Sequence, residues 1–146
     1  MLRGNALAKL DDKGRLKLPS IYRTVIEPTY GTEFFITSLQ GESVLIYPMP
    51  VYSALEERIF RASKVEPSVK RLRRALNYYG QTASMDSQGR LLVHPLLRES
   101  TEIQGEVAVI GQLDFLEVWN RNTFEEQLRN DPLTDADLKE LATFGF

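Results

Sequence analysis

Residues 10–24 read LDDKGRLKLPSIYRT, and residues 85–99 read MDSQGRLLVHPLLRE. Both segments contain the pattern Asp-x-x-Gly-Arg-Leu, and an ordered match continues through residues 33–47 and 106–119. A short motif recurs by chance, but an ordered series of matches indicates an internal duplication. The identical pairs at an offset of 75 residues are Asp11 and Asp86, Gly14 and Gly89, Arg15 and Arg90, Leu16 and Leu91, and Arg23 and Arg98.

Each half is predicted to contain the same elements. A strand precedes the Asp-x-x-Gly turn, and a short strand at 16–18 or 91–93 is stopped by a proline. A helical turn at 20–26 or 96–101, a hairpin and a closing helix follow. The predicted hairpins are 34–38 with 44–47 and 107–110 with 115–119, and the closing helices are 51–62 and one capped by Asn122 and Glu125.

The predicted organisation is a first repeat at 1–66, a linking helix at 67–79, and a second repeat at 80–146 with a C-terminal helix. Pro67 suits the first turn of the linking helix. A capping box at Thr134 and Asp137 precedes the last, acidic helix. Phe144 and Phe146 are expected to dock, on the chain itself or on a neighbouring subunit. The apolar faces are Val69, Leu72, Leu76 and Tyr79 for the first of these helices, and Leu138, Leu141 and Ala142 for the second.

The composition excludes several classes of protein. The chain has 146 residues, a formal charge of -2, 42% hydrophobic residues and no cysteine, which is typical of a soluble globular domain. Without cysteine and with one histidine, thiolate and His-rich metal sites are excluded. No stretch approaches the roughly 20 apolar residues of a membrane helix, and no signal peptide is recognised. We therefore expect a cytoplasmic protein that needs neither metal nor membrane.

Charge is distributed unevenly along the chain. Residues 1–100 carry 15 Lys and Arg against 10 Asp and Glu, whereas residues 101–146 carry 3 against 10. Polyanions bind local basic surface rather than net charge, so the overall acidic balance is compatible with nucleic acid. The basic residues concentrate at 1–23 and at Lys70–Arg74, and either cluster is alternatively a solvated face.

The two Asp-x-x-Gly turns have a structural explanation. The aspartate accepts hydrogen bonds from the backbone just ahead, and the glycine takes a left-handed conformation that other residues resist. The residues expected to build the turns are Asp11, Gly14, Asp86, Gly89 and Arg90.

For Arg15 the sequence leaves two interpretations. Arg15 pairs with Asp11 across the turn, or it projects its guanidinium toward a phosphate or a guanine edge, a bidentate geometry that lysine does not copy. The first copy alone is predicted to bind an anionic polymer, with the second as scaffold, because only the first is surrounded by extra cations. Arg3, Lys9, Lys13 and Lys17 stand where the second copy has Tyr78, Ser84, Gln88 and Leu92.

No catalytic signature is present. The chain lacks a Gly-x-Ser-x-Gly elbow, a Walker A loop, His-Glu-x-x-His and Gly-x-Gly-x-x-Gly. Asp11 and Asp12 are adjacent at a turn and are expected to point in different directions, which does not make an acid/base pair. His94 lies at a strand end, where packing is its expected role. We therefore predict no enzyme activity and no cofactor.

The sequence resembles the MraZ family, within the AbrB-like superfamily, over nearly its whole length. The motifs that carry the resemblance are the Met-x-x-Gly start, Asp-x-x-x-Arg at 11–15 and 86–90, Gly-Arg-Leu-x-Leu-Pro at 14–19, Leu45–Pro48 and Phe115–Trp119. Leu2, where the family tends to have Phe, and His94, where a proline is common, depart from the pattern.

The resemblance implies a mixed α+β fold with a β-barrel core of interleaved, swapped hairpins, two pseudo-twofold repeats and flanking helices. It also implies a homo-oligomeric ring that binds double-stranded DNA at short direct repeats in a promoter region. Such proteins usually repress the division and cell wall gene cluster that includes their own gene, in the cytoplasm and nucleoid. The DNA-contacting arginine of the motif corresponds to Arg15, with Lys13 beside it.

The hypothesis for the mechanism is that weak contacts to repeated sites add through avidity. Arg15 is expected to read bases, while Arg3, Lys9, Lys13 and Lys17 hold phosphates. The alternative is an AbrB-fold interaction module of antidote type, although such antidotes usually end in a long disordered tail where this chain has a predicted helix. The Lys70–Arg74 cluster either touches DNA or lines a subunit boundary.

Overall fold

A computed structural model describes residues 1–146. Residues 5–61 and 81–130 contain the same order of elements, which is strand, strand, helix, strand, strand, helix. The first series is β1 (Asn5–Lys9), β2 (Arg15–Lys17), α1 (Ser20–Tyr30), β3 (Glu33–Thr37), β4 (Val44–Pro48) and α2 (Met49–Arg61). After α3 (Pro67–Tyr79), the second is β5 (Gln81–Ser84), β6 (Arg90–Leu92), α4 (Pro95–Thr101), β7 (Glu106–Gly111), β8 (Leu116–Asn120) and α5 (Arg121–Asn130), followed by α6 (Asp135–Ala142).

The strands form two antiparallel sheets. The larger has the order β1-β7-β8-β4-β3-β5, and the smaller pairs β2 with β6. The first strand of each series therefore pairs with the hairpin of the other, β1 with β7 and β5 with β3. The mixed α+β class is confirmed, but the expected closed barrel is wrong. The sheet stays open because the three-residue strands β2 and β6 pair with each other, and one bridge between Leu10 and Leu16 joins β2 to the chain after β1.

The core lies between the two sheets and helices α1 and α4. Period-two alternation puts Leu16 and Leu18 on one side of their strand, where both are buried, and Leu91 and Val93 are buried in the same way. The hairpin strands add alternating residues such as Phe34 to this core. Each of these apolar side chains is fully or almost fully removed from water, so the short strands are held mainly by their buried faces.

Helices α2 and α3 cover the outer face of the first hairpin. Tyr52 of α2 stacks on Phe35 with ring centroids 4.1 Å apart, and Tyr47 stacks on Phe115 at 4.8 Å. Burial of its hydroxyl raises the pKa of Tyr52 to about 12. The residue Phe124 of α5, which corresponds to Tyr52 in the sequence, packs against Trp119.

The helix boundaries correct two sequence predictions. Helix α1 continues through Pro28 to Tyr30, beyond the predicted turn, while α3 occupies the residues predicted for the linking helix. The predicted cap of α5 at Asn122 and Glu125 is wrong. The side chain of Asn120 caps this helix by accepting the N–H of Thr123 at 3.1 Å, because the strand before it continues to Asn120.

The last helix is capped as predicted but is not packed against the chain. Thr134 accepts the N–H of Asp137 at 3.1 Å, and Asp137 accepts that of Thr134 at 2.9 Å. No residue of α6 is buried. Docking of Phe144 and Phe146 on the chain itself is therefore wrong, because their side chains are 68% and 88% exposed. None of the six helices is long and apolar enough to cross a membrane.

Candidate nucleic-acid interface

The first Asp-x-x-Gly turn is held by one carboxylate. Asp11 Oδ1 accepts the backbone N–H groups of Lys13 and Arg15, each at 2.9 Å. Its Oδ2 accepts the Nε–H of Arg15 at 2.7 Å, and its backbone oxygen accepts the N–H of Gly14 at 3.0 Å. The pairing of Arg15 with Asp11, one of the two interpretations from sequence, is thus present. It occupies Nε alone, since the terminal nitrogens of Arg15 have no hydrogen bond within the chain.

The second turn repeats this geometry. Asp86 accepts the N–H groups of Gln88 and Arg90 at 2.9 Å, and the Nε–H of Arg90 at 2.8 Å. In both turns the hydrogen bond from the arginine backbone is the main cause that lowers the pKa of the aspartate, against partial desolvation. Ionised carboxylates are therefore part of both turns at neutral pH.

The two turns interlock across the halves of the chain. The N–H of Leu18 donates to the carbonyl oxygen of Gly89 at 2.8 Å, and the N–H of Val93 donates to that of Gly14 at 2.9 Å. Both glycines are left-handed, with φ of +78° and +77°. Each turn therefore ends against the short strand of the other half, which fixes the turns at opposite ends of the β2–β6 pair.

The exposed face of this β2–β6 ribbon is cationic. Residues directly opposite in antiparallel strands share one face, and the register places Arg15 opposite Leu92 and Lys17 opposite Arg90. Leu16 and Leu91 occupy the other face and are completely buried. The ribbon thus presents two arginines and one lysine on its outer side.

The structure groups some of the predicted site residues and separates others. Lys13, Arg15 and Lys17 lie together on the first turn and the ribbon. Lys9 borders this group at the end of β1, opposite Glu106 of β7. Arg3 lies beyond the far end of β1, a strand whose five residues alone span about 13 Å. These positions leave Arg3 remote from the ribbon.

Comparison of the two halves of the sequence did not reveal the cation that lies beside Arg90. At the 75-residue offset its surroundings are neutral, but strand pairing brings Lys17 of the first half directly opposite. The expectation that Arg90 lacks neighbouring cations is therefore wrong. The signal was present in the sequence, because two short strands with one buried leucine each need a partner, but the sequence did not show that they pair with each other.

Two arginines that correspond in the repeat differ in their contacts. Arg23 lies over Gly89 and donates to the Ser87 carbonyl oxygen at 3.2 Å and to Glu27 at 2.9 Å. Arg98 lies over Gly14, but its guanidinium has no hydrogen-bond partner and its Nε is buried. The cause is local. Glu102 corresponds to Glu27, the partner of Arg23, but it is the left-handed residue that follows α4 and is not part of the helix.

The candidates set aside for catalysis have structural places. His94 is buried, and its Nε2–H donates to the carbonyl oxygen of Tyr79 at 2.7 Å, so the packing role predicted for it is consistent with the fold. Asp11 is engaged in the turn, whereas Asp12 is exposed and makes no side-chain hydrogen bond. No group of His, Asp or Glu side chains is arranged to hold a metal ion.

The fold and this site define a class of α+β protein in which two like turns are joined through a cationic two-stranded ribbon. A family model described as "MraZ protein, putative antitoxin-like" matches residues 1–75 and 80–143. The chain belongs to the MraZ family, as its motifs indicated.

Three relatives match over nearly their full length. The protein named "Transcriptional regulator MraZ" from Acidobacterium capsulatum is 40% identical over 145 residues, which cover 99% of both chains. The protein of that name from Koribacter versatilis is 38% identical over 146 residues, again 99% of both. The one from Escherichia coli is 33% identical over 144 residues, which cover 98% of this chain and 92% of that protein.

Proposed function

We propose that this chain is a sequence-specific, DNA-binding transcriptional regulator that acts as a homo-oligomeric ring on short direct repeats. Its target is the promoter region of the division and cell wall gene cluster that includes its own gene, and its action there is repression. Its place is the cytoplasm and nucleoid. The name of the relatives, transcriptional regulator, supports the general role.

The observation that carries the proposal is the outer face of the β2–β6 ribbon. A two-stranded ribbon fits the major groove of B-DNA, where base edges can be read. Asp11 holds Arg15 by Nε, which orients the guanidinium while its terminal nitrogens stay free for a guanine edge or a phosphate. An arginine oriented before binding loses less conformational entropy on contact.

The other cations have supporting roles. Lys13 and Lys17 flank Arg15 and hold phosphates, and Lys9 extends the basic border. Arg3 is too far from the ribbon to contact the same stretch of the DNA backbone. It therefore holds a phosphate outside that stretch or holds no phosphate. Arg90 builds its turn with Asp86 and shares the ribbon face with Lys17.

The organisation of the chain belongs to the same proposal. The repeats comprise residues 1–66 and 80–146, related by a pseudo-twofold axis, with hairpins that interleave. The exchange of first strands between the hairpins supports this arrangement. One ribbon per subunit, repeated around a ring, lets weak contacts to repeated sites add by avidity.

Binding of wild type, Arg15→Ala and Arg90→Ala to DNA from upstream of the gene, and to scrambled DNA, tests the function across a salt series. Arg90→Ala is the matched control, because it loses an equivalent bond within an equivalent turn. Arg15→Ala is expected to lose about 1–3 kcal/mol of DNA-binding free energy per subunit, and with it the preference for the upstream sequence. Lys13→Ala should weaken binding to all sequences and reduce the salt slope by about one.

Equal binding of wild type to upstream and scrambled DNA would refute sequence-specific regulation. Equal losses for Arg15→Ala and Arg90→Ala would instead assign base reading to both ends of the ribbon.

A second candidate function is an interaction module of antidote type, which the description of the family model favours. The capped helix α6 occupies the place where a wrapping, disordered tail is usual in antidotes. Co-purification of a small partner protein that blocks DNA binding would support this second function.

A further inference from the structure

Two apolar side chains are uncovered where the chain turns from α2 into α3. Phe60, one position before the end of α2, is 71% exposed, and Val65, in the connecting loop, is 84% exposed. Single exposed apolar residues are ordinary on protein surfaces. Two with this exposure at the end of one pair of helices form a small apolar surface. Residues 60–66 are called the α2–α3 tip below.

Cations surround the α2–α3 tip. Residues 58–74 contain seven Lys and Arg and a single acidic residue, Glu66. Only one of the exposed cations is in an ion pair, which joins Arg61 to Glu57 at 3.3 Å. The exposed cations are Arg58, Arg61, Lys64, Lys70, Arg71 and Arg74. Like charges at positions 70 and 74, one helical turn apart, repel each other, and an anionic partner would relieve that repulsion.

Positive charge and apolar surface are in direct contact at the tip. The Nζ of Lys64 lies 4.9 Å from the centre of the Phe60 ring. Phe60 and Arg73 also line an open groove between the two helices. The acidic residues of that groove, Glu56 and Glu57, precede Phe60 by about one turn of α2 and lie further from the tip. The end of the helix pair is therefore cationic and apolar, whereas its middle carries both signs of charge.

The corresponding turn in the second half of the chain has the opposite charge. The loop between α5 and α6 also exposes an apolar side chain, because Leu133 is 68% exposed. Residues 131–140, however, contain four Asp and Glu and one Lys. The combination of exposed apolar side chains with cations is thus a property of the α2–α3 tip and is not imposed by the repeat.

The helices that carry the tip lie on the opposite side of the fold from the β2–β6 ribbon. Phe35 of β3 stacks on Tyr52 of α2, whereas Phe34 belongs to the core that includes Leu16 of the ribbon. Successive residues of a strand point to opposite faces of the sheet. A duplex on the outer face of the ribbon is therefore separated from α2 and α3 by the core and the large sheet. The cations of the tip remain available to a second anionic partner.

We propose that the α2–α3 tip docks on a membrane surface rich in anionic lipid. Phe60 and Val65 enter the boundary between headgroups and acyl chains, and the surrounding cations contact lipid phosphates. The phosphates of a nucleic acid would pair with the cations but would leave both apolar side chains in water, whereas an anionic lipid surface accommodates both. Attachment of this kind needs no membrane-spanning helix. The inference goes beyond the proposed function and does not depend on it.

Flotation of the full chain with lipid vesicles tests the proposal. We expect wild type to bind vesicles of phosphatidylglycerol mixed with phosphatidylcholine, to bind phosphatidylcholine alone far more weakly, and to lose affinity as salt is raised. Each cation near such a surface contributes about fivefold in affinity, so Lys70→Gln with Arg74→Gln should bind about 25-fold more weakly. Phe60→Ser with Val65→Ser should lose on the order of tenfold through reduced apolar burial.

Two matched double variants control for charge and for apolar surface elsewhere on the chain. Arg129→Gln with Lys139→Gln removes two exposed cations, and Ile21→Ser with Leu133→Ser removes two exposed apolar side chains. Both should bind vesicles like wild type, and circular dichroism checks that every variant is folded. Absence of vesicle binding by wild type, equal binding to anionic and neutral vesicles, or equal losses in the tip variants and their controls would overturn the proposal.

A fluorescent reporter measures insertion directly. The chain has one tryptophan, Trp119, which is buried, so Val65→Trp adds a second whose emission reports the tip. Its emission should shift to the blue with anionic vesicles, while that of Leu133→Trp should not, and an unshifted Val65→Trp would contradict insertion.

DNA binding separates this inference from the proposed function. Both tip variants should bind DNA with one repeat like wild type, because the ribbon is unchanged. A wild type that binds no vesicles, together with weaker DNA binding by Lys70→Gln with Arg74→Gln, would identify nucleic acid as the partner of the tip and would overturn the proposal. Base reading by Arg15 is measured independently in either case.

Discussion

Alanine at Gly14 and Gly89 is expected to destabilise the protein unequally, although the two turns have the same backbone. At both positions φ is close to +78°, where an alanine costs about 1–2 kcal/mol. A Cβ at Gly14 would lie 2.4 Å from Cζ of Arg98, and one at Gly89 would lie 2.7 Å from a terminal nitrogen of Arg23. Either arginine must therefore move.

The difference in stability arises from the hydrogen bonds that each arginine loses when it moves. Arg98 makes no hydrogen bond, so its displacement adds little beyond lost packing. Displacement of Arg23 breaks its hydrogen bonds to the Ser87 carbonyl oxygen and to Glu27. Such partly exposed bonds together contribute on the order of 1 kcal/mol to the free energy of unfolding. We expect losses of about 1–2 kcal/mol for Gly14→Ala and about 2–3 kcal/mol for Gly89→Ala.

Urea denaturation measures the difference. With a slope of about 2 kcal/mol per molar urea, Gly89→Ala should unfold at a midpoint roughly 0.5 M below that of Gly14→Ala. Gly4→Ala is the control for backbone strain alone, because its φ is +76° and nothing lies within 4 Å of the added Cβ. If all three variants unfold at one midpoint, or Gly14→Ala is the least stable, the assigned role of Arg23 is wrong.

Three further predictions follow from burial and ionisation. Folding lowers the pKa values of Asp11 and Asp86, so the stability that these two carboxylates contribute is complete above about pH 4 and is lost as the pH falls below it. Asn at both positions should therefore flatten the acid limb of a curve of unfolding free energy against pH. Tyr52 should ionise near pH 12 in an absorbance titration, and since folding raises its pKa, its contribution to stability is present below about pH 10 and is lost as the pH rises above it. Burial also raises the pKa of Tyr22 and Tyr47, so loss of the step near pH 12 in Tyr52→Phe would identify the group. Leu16→Ala and Leu91→Ala should each cost about 2–5 kcal/mol in urea denaturation, and a cost below 1 kcal/mol would contradict the buried face of the ribbon.

Local patterns in the sequence predicted much of the secondary structure. Two predictions that depend only on neighbours in the chain are confirmed, namely the linking helix that begins at Pro67 and the capping box at Thr134. The cap of α5 was placed two residues late, because Asn120 and Asn122 are both competent caps and only the end of β8 distinguishes them.

Long-range pairing was not predictable in the same way. The sequence supplied two turns with like residues, but the pairing of β2 with β6 decides that Lys17 faces Arg90 and that the large sheet remains open. The candidate site was predicted in part for this reason. Lys13, Arg15 and Lys17 are close in sequence and remain together, whereas Arg3 is separated from them by the length of β1.

The exchange of first strands has a consequence for synthesis on the ribosome. Strand β1 pairs only with β7, at residues 106–111, so it has no sheet partner until most of the chain has emerged. At about 5–20 residues per second, this delay is roughly 5–20 s. The nascent N-terminal segment therefore remains unpaired and open to chaperones or to another chain during that time. We therefore expect β1, although synthesised first, to be the last strand to join the large sheet.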